Sequence, residues 1–258
     1  MCQIFKICLL IMLEILKIVK NLRIFSANKC LNLNDTSFKE LITVLPGLEK
    51  IFIESTELTG DYFDLLPEGL KELNINSCLR VSTENLHKVC RACKNLEILE
   101  IEILDIDKEF YEELGVNCTN LRSLKVFFPR SDVDVSKQIK SLSKLTKLTI
   151  FATTFELPNI ADSVKNLEEL HIHIRQETIN MIDFSKFQQL KNVCLTFSPF
   201  RKQELMSLGK CRNLEHITIE GYYNTDQETI KKILKGCPKI KHVKCPKISI
   251  DIKFLDEI

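Results

Sequence analysis

At 258 residues, 45% hydrophobic and 28% charged, the chain has ample apolar content for a packed fold and no compositional mark of disorder. A formal net charge of +1 excludes a global field that would draw the whole molecule to nucleic acid or to a membrane surface. Eleven cysteines, an odd number, exclude complete internal pairing, so the chain reads as the product of a reducing compartment, cytoplasmic or nuclear.

Residues 1–21 carry an uninterrupted apolar run from Ile7 to Leu13, followed by Glu14, Lys17 and Lys20. That run is too short to span a bilayer, and no small-residue cleavage site follows it. Lys6, Glu14, Lys17 and Asn21 fall near one helical face. The segment is therefore expected to form a helix capping the first strand, an incomplete repeat; a weak signal segment is the alternative reading.

From Leu22 one apolar pattern, L-x-x-L-x-I, recurs ten times. The copies begin Leu22-x-x-Phe25-x-Ala27, Leu48-x-x-Ile51-x-Ile53, Leu70-x-x-Leu73-x-Ile75, Leu96-x-x-Leu99-x-Ile101 and Leu121-x-x-Leu124-x-Val126. They continue Leu145-x-x-Leu148-x-Ile150, Leu167-x-x-Leu170-x-Ile172, Leu190-x-x-Val193-x-Leu195, Leu214-x-x-Ile217-x-Ile219 and Ile240-x-x-Val243-x-Cys245. First positions are 26, 22, 26, 25, 24, 22, 23, 24 and 26 residues apart. One such match arises by chance; ten in phase mark a stacked-repeat architecture. The second half of each interval has helical spacing, as in Phe38, Leu41, Ile42 and Leu45, in Leu86, Val89, Cys90 and Cys93, and in Ile230, Ile233, Leu234 and Cys237. Each coil is thus expected to be a strand, a turn and a short helix. Neither apolar face can be buried by one coil alone, so the coils must stack.

Cys93, Cys118, Cys211 and Cys237 stand three residues before a first leucine, as does Pro67, and Cys78-Leu79-Arg80-Val81-Ser82 follows a strand core. In these positions the chain resembles the cysteine-containing leucine-rich repeat. The resemblance covers residues 22 to about 250. It implies an α/β, right-handed leucine-rich-repeat solenoid, or horseshoe, of about ten repeats, with a parallel sheet on the concave face and short helices on the convex face. Residues 22–258 would form one domain, its last coil covered after about residue 246. The resemblance further implies a protein-binding module, since such arrays are best known as substrate-recognition arms of F-box ubiquitin-ligase subunits. An F-box is a helical module of some forty residues, and residues 1–21 do not resemble one. Binding to the ligase adaptor is therefore expected only if an F-box precedes this sequence; a free-standing scaffold or inhibitor is the alternative.

Side chains alternate across a strand, so the residues between the packing positions should face the concavity, and neighbouring strands about 4.8 Å apart should align them in columns. Three neighbourhoods emerge among the candidate protein-binding residues. Glu54, Glu72, Glu100 and Glu102 make an acidic region, and Phe52 is a further candidate in the same columns. Phe127 and Phe151, beside Lys125 and Lys147, form an aromatic and basic patch, to be read either as interface anchors or as a surface covered by a terminal loop. His171, His173, His216 and His242 are four of the five histidines, with His171 beside Cys194 and His216 beside His242. Zinc needs ligands converging at 2.0–2.3 Å, which two pairs separated by a full repeat do not provide, so a polar or pH-responsive surface is expected instead.

No catalytic, cofactor or metal constellation emerges. Cys90 and Cys93 have C-x-x-C spacing but fit the inward face of a helix. Gly209-Lys210-Cys211 lacks the rest of a phosphate loop. The lysines from Lys231 to Lys253 scatter over helix, turn and strand, so neither a nucleic acid nor a membrane is an expected partner.

Overall fold

The computed structural model describes residues 21–103, 106–127, 139–152, 160–174, 182–196, 200–221 and 226–245. The chain forms two compact units, Met1–Phe127 and Phe128–Ile258. The expected cap helix before Asn21 and the expected cover after residue 246 lie outside the described residues.

In the first unit the strands are β1 (Ile24–Ser26), β2 (Lys50–Phe52), β3 (Glu72–Asn74), β4 (Ile98–Glu100) and β5 (Ser123–Phe127). In the second they are β6 (Lys147–Ala152), β7 (Glu169–Ile174), β8 (Asn192–Thr196), β9 (His216–Glu220) and β10 (His242–Lys244). Within each unit the strands pair parallel and in sequence order, and the register aligns equivalent repeat positions: Leu73 with Leu99, Leu99 with Leu124, Leu170 with Val193, Val193 with Ile217. From Leu48 to Ile219 the expected packing residues are the buried ones, whereas Leu22 and Ala27 in the first copy and Ile240, Val243 and Cys245 in the last are half-exposed. Within that span Leu96, Leu99 and Ile101, for example, are each 0% exposed. Ile98 and Glu100 between them are half-exposed.

Helices lie between the strands in sequence: α1 (Asp35–Val44), α2 (Thr83–Ala92), α3 (Lys108–Asn117), α4 (Ile160–Ser163), α5 (Lys202–Ser207) and α6 (Gln227–Gly236). The sequence pattern led us to expect a helix in every coil; the structure grades it by coil length. Intervals of 25 or 26 residues carry the four ten-residue helices α1, α2, α3 and α6. The 24-residue interval after Leu190 holds six-residue α5 and a 3-10 turn, Leu208–Lys210. Among the described residues, intervals of 22 or 23 residues show four-residue α4 or the 3-10 turns Phe63–Leu65 and Phe184–Lys186. Every coil must close the same circuit from strand to strand, so the residues to spare are those that can wind into helix. A 3-10 turn covers more distance per residue and suits the short coils.

The ten-residue helices have local start and stop signals. Asn34, Ser82, Asp107 and Asp226 each accept a hydrogen bond from the backbone N–H three residues on, at 3.0, 3.2, 2.8 and 2.7 Å. Leu45, Cys93, Cys118 and Cys237 end them, and the carbonyl of each accepts from the N–H of the following first leucine or isoleucine. The cysteine slot is therefore a helix C-cap. Its thiol has a second role: the Sγ atoms of Cys118, Cys211 and Cys237 donate to the carbonyls of Cys93, Phe184 and Leu208 in the preceding coil, at 3.6, 3.1 and 3.3 Å. A small side chain with a weak donor satisfies a buried carbonyl there without adding bulk. Cys90 and Cys93 are both fully buried and, like the other described cysteines, unbridged.

Coils are also stitched at the turns. The Asp35 carboxylate accepts from the backbone N–H groups of Thr59, Gly60 and Asp61 one coil on, its best contacts being 3.0, 2.9 and 3.3 Å. From the other side the Asn85 side-chain amide donates to the Thr59 carbonyl at 2.8 Å. Asn95, Asn166 and Asn213, each just before a first leucine, donate to carbonyls of Glu68, Ser143 and Gln188 in the coil before.

Candidate functional site

Strand alternation and register together build the face opposite the packed side chains. In the first unit the acidic region is largely neutralised. The Lys50 ammonium sits 2.7 Å from Glu72, and Lys125 is 3.9 Å from Glu102. Glu100 accepts from the side-chain amides of Asn74 and Asn76 at 3.0 and 2.8 Å, while the Asn76 backbone N–H donates to Asn74 Oδ1. Of the four carboxylates read from sequence as one negative patch, Glu72 and Glu102 are thus ion-paired and Glu100 is amide-bound. Phe52 and Phe127 are half-exposed, with the Tyr111 hydroxyl donating to the Phe127 carbonyl at 3.1 Å. Ile24, 54% exposed, is the most open apolar side chain on these strands.

In the second unit the face is aromatic and imidazole-rich. Phe151 and His173, partners in the β6–β7 register, stack with centroids 4.5 Å apart and planes 5° from parallel. The Thr196 hydroxyl and His173 Nδ1 share a hydrogen bond. Lys147 pairs with Glu169 at 3.1 Å and Lys244 with Glu220 at 2.5 Å. His171 lies between Thr149 and Cys194, and His216 between Asn192 and His242. The His216 and His242 rings stack at 4.9 Å and 21°.

The electrostatics of this face follow from burial and pairing. Burial lowers the His171 pKa, the charge of Lys147 adds to the effect, and Glu169 only partly opposes it. Burial alone would raise Glu169, but the Lys147 contact and the Asn192 amide outweigh it and hold the carboxyl below its ordinary value. Burial, with the Glu220 charge, pushes the Cys194 thiol up, away from the thiolate form that binds metals or attacks electrophiles. Among the described residues no group of three or more His, Cys, Asp or Glu side chains is placed to hold a metal ion, and no helix is long and apolar enough to cross a membrane.

One further row lies outside the three sequence columns. The residue after the first leucine alternates in charge: Arg23, Glu49, Lys71, Glu97 and Arg122 in the first unit, then Glu168, Lys191, Glu215 and Lys241 in the second, after an uncharged Thr146. Contacts along this edge include Lys71–Glu49 at 2.8 Å, Lys191–Glu168 at 2.7 Å and Lys241–Glu215 at 2.6 Å. Also outside the columns is His87, the fifth histidine, which lies on α2 between Asp107 at 3.2 Å and Glu113 at 3.4 Å. Extending the columns by one position would have found the first; the second needs the crossing of two helices.

Comparison with known proteins agrees with this geometry. A family model described as a leucine-rich repeat region matches residues 12–257. No curated protein matches. Among solved structures, internalin C2 of Listeria monocytogenes is similar, at 19% identity and a TM-score of 0.54 over 77% of this chain and 80% of that one. A second internalin of the same organism, inlF, is similar at 15% identity and a TM-score of 0.54 over 86% and 73% of the two chains. At such identities the likeness concerns the fold. The repeat phase, the parallel strand–helix coils and the family match over nearly the whole sequence together place this α/β chain in the leucine-rich repeat family.

Proposed function

We propose that this protein is a binding module that captures another protein on the strand face, and that it performs no chemistry of its own. The observation behind this reading is the division of labour along each strand. Packing positions from Leu48 to Ile219 are buried, while half-exposed Phe52, Phe127, Phe151, His171, His173 and His216, with exposed His242, occupy the alternate strand positions. Aromatic side chains beside polar groups supply large contact area at low entropic cost, as interface anchors do. A photo-crosslinking residue at position 52 or 151 should give a protein adduct, and one at Val116, 74% exposed on α3, should not. Equal adducts from both faces, or an adduct only from Val116, would refute the reading.

The cysteine-containing repeat supports a finer form, a recognition component of a ubiquitin ligase working in the cytoplasm or nucleus. The resemblance of Cys93, Cys118, Cys211 and Cys237 to that repeat is its sole support. The protein isolated from its own cells, with any sequence upstream of Met1 included, tested against the ligase adaptor decides it: measurable affinity favours the ligase, and its absence favours a scaffold or inhibitor.

A further inference from the structure

The second unit holds a surface whose charge is poised. Two lysines and two glutamates occupy the outward strand positions of β6–β10, and each lysine is closed by a glutamate on an adjacent strand, Lys147 by Glu169 and Lys244 by Glu220. Fixed charge on this face therefore cancels. What can still change is imidazole, the side chain whose charge varies between pH 5 and 8. His171, His173, His216 and His242 all lie on this same face.

The four are not equivalent. His173 is held by the Phe151 stack and by Thr196. Burial and the charge of Lys147 hold His171 toward its neutral form. His216 is half-exposed and His242 exposed, in register on β9 and β10, with rings stacked at 4.9 Å. Their surroundings are Asn192 on β8, Glu215 already engaged by Lys241, Thr218 on β9, and Lys244 engaged by Glu220. Like charges stacked this closely would repel each other, and an anion bound against both rings would relieve that repulsion. Proton uptake and anion capture are then linked, and each favours the other.

We propose that the β7–β10 face binds an acidic segment of another protein, with the His216–His242 pair as a gate that tightens the contact on mild acidification. The charge complementarity of an acidic segment to an imidazolium pair sets the choice of occupant, since the lysines are already neutralised. This inference rests on the protein-binding reading of the strand face and adds the chemistry of the partner.

The test uses the full chain and a fluorescent peptide of about ten alternating Asp and Ser residues, which stays ionised well below pH 6. An Asn/Ser peptide and an oligodeoxynucleotide of the same length serve as comparisons. Anisotropy titrations at about pH 5.5 and pH 7.5 should show at least about tenfold tighter binding of the Asp peptide at the lower pH. The double variant His216→Gln, His242→Gln should bind weakly at both. His216→Lys with His242→Lys should bind tightly at both, and if the glutamine variant fails to fold this flat profile carries the test alone. Equal affinity of the wild-type protein at the two pH values, pH dependence surviving in the glutamine variant, equal binding of the Asn peptide, or tighter binding of the oligonucleotide would each overturn the proposal. A crosslinked protein at position 151 together with a pH-independent Asp peptide would remove the gate and leave the binding module standing.

Discussion

Replacing Asp35 with alanine should reveal how strongly neighbouring coils depend on one side chain. Its carboxylate holds the backbone N–H groups of Thr59, Gly60 and Asp61. Asp61 is exposed, so water replaces that bond at little cost; Gly60 is buried and Thr59 half-buried. Orphaning a buried donor costs about 1–3 kcal/mol, a half-buried one less, and losing a first-turn carboxylate removes roughly 0.3–1 kcal/mol more. The expected loss is about 2–4 kcal/mol, and Asp35→Asn should lose about half of it, keeping one acceptor. Urea unfolding measures this as a lower midpoint with an unchanged slope. Asn85 holds the same turn from the following coil, so Asp35→Ala and Asn85→Ala should combine to less than their sum. A loss under about 0.5 kcal/mol, or strict additivity, would show that the turn keeps its place without this carboxylate.

Four other outcomes follow from the packing and the charges. A Cβ on Gly236 would lie 1.8 Å from the Gly209 carbonyl oxygen, whereas one on Gly69 would meet nothing within 4 Å. Gly236→Ala should therefore cost about 3 kcal/mol or more in thermal unfolding, and Gly69→Ala should fall within about 0.5 kcal/mol of wild type. Burial raises the Glu204 pKa, against the opposing backbone N–H bonds from Arg201 and Ile182. Its contribution is present below the ordinary value of 4.5 and fades as pH rises through the folded value, so Glu204→Gln should flatten the stability profile above pH 4.5. Glu113, lowered chiefly by its bond from Arg91, acts in the opposite sense: its contribution is present above 4.5 and lost as pH falls through the folded value, so Arg91→Ala should lower stability above pH 4.5, leave it unchanged at strongly acid pH and so flatten the acid limb. Lys191→Glu reverses one charge beside Glu168 and should lower the thermal midpoint slightly at low salt and not at about 1 M, where the Debye length is roughly 3 Å.

Much of this architecture could be read from periodicity. Leu70, Leu73 and Ile75 or Leu167, Leu170 and Ile172 announce their burial by spacing, because a parallel sheet buries whatever repeats in phase. Helix content was legible in principle from interval length, but only once the circuit each coil must close was known. Backbone partners were not legible. Nothing in Thr59-Gly60-Asp61 reveals that its N–H groups turn toward Asp35. The φ angles of Lys29, Ser55 and Ser77, at 62°, 56° and 56°, mark equivalent turns without the glycine that would have announced them. Within each unit the columns came through in register along the paired strand residues. Their electrostatics did not, because Asn74 and Asn76 look inert in a sequence and in the fold bind Glu100.

The charge row after the first leucine has a consequence for how such an array can change its length. Along this edge the sign reverses at every step from Arg23 to Arg122, and again from Glu168 to Lys241. Excising a single coil, such as the one that contributes Lys71, would set Glu49 against Glu97. Excising that coil together with the next would bring Glu49 beside Arg122 and restore the alternation. For packing, the unit of this protein is one coil; for charge it is two. Duplication or loss in pairs preserves both at once, and a chain that gained or shed one coil would need a compensating substitution at that edge.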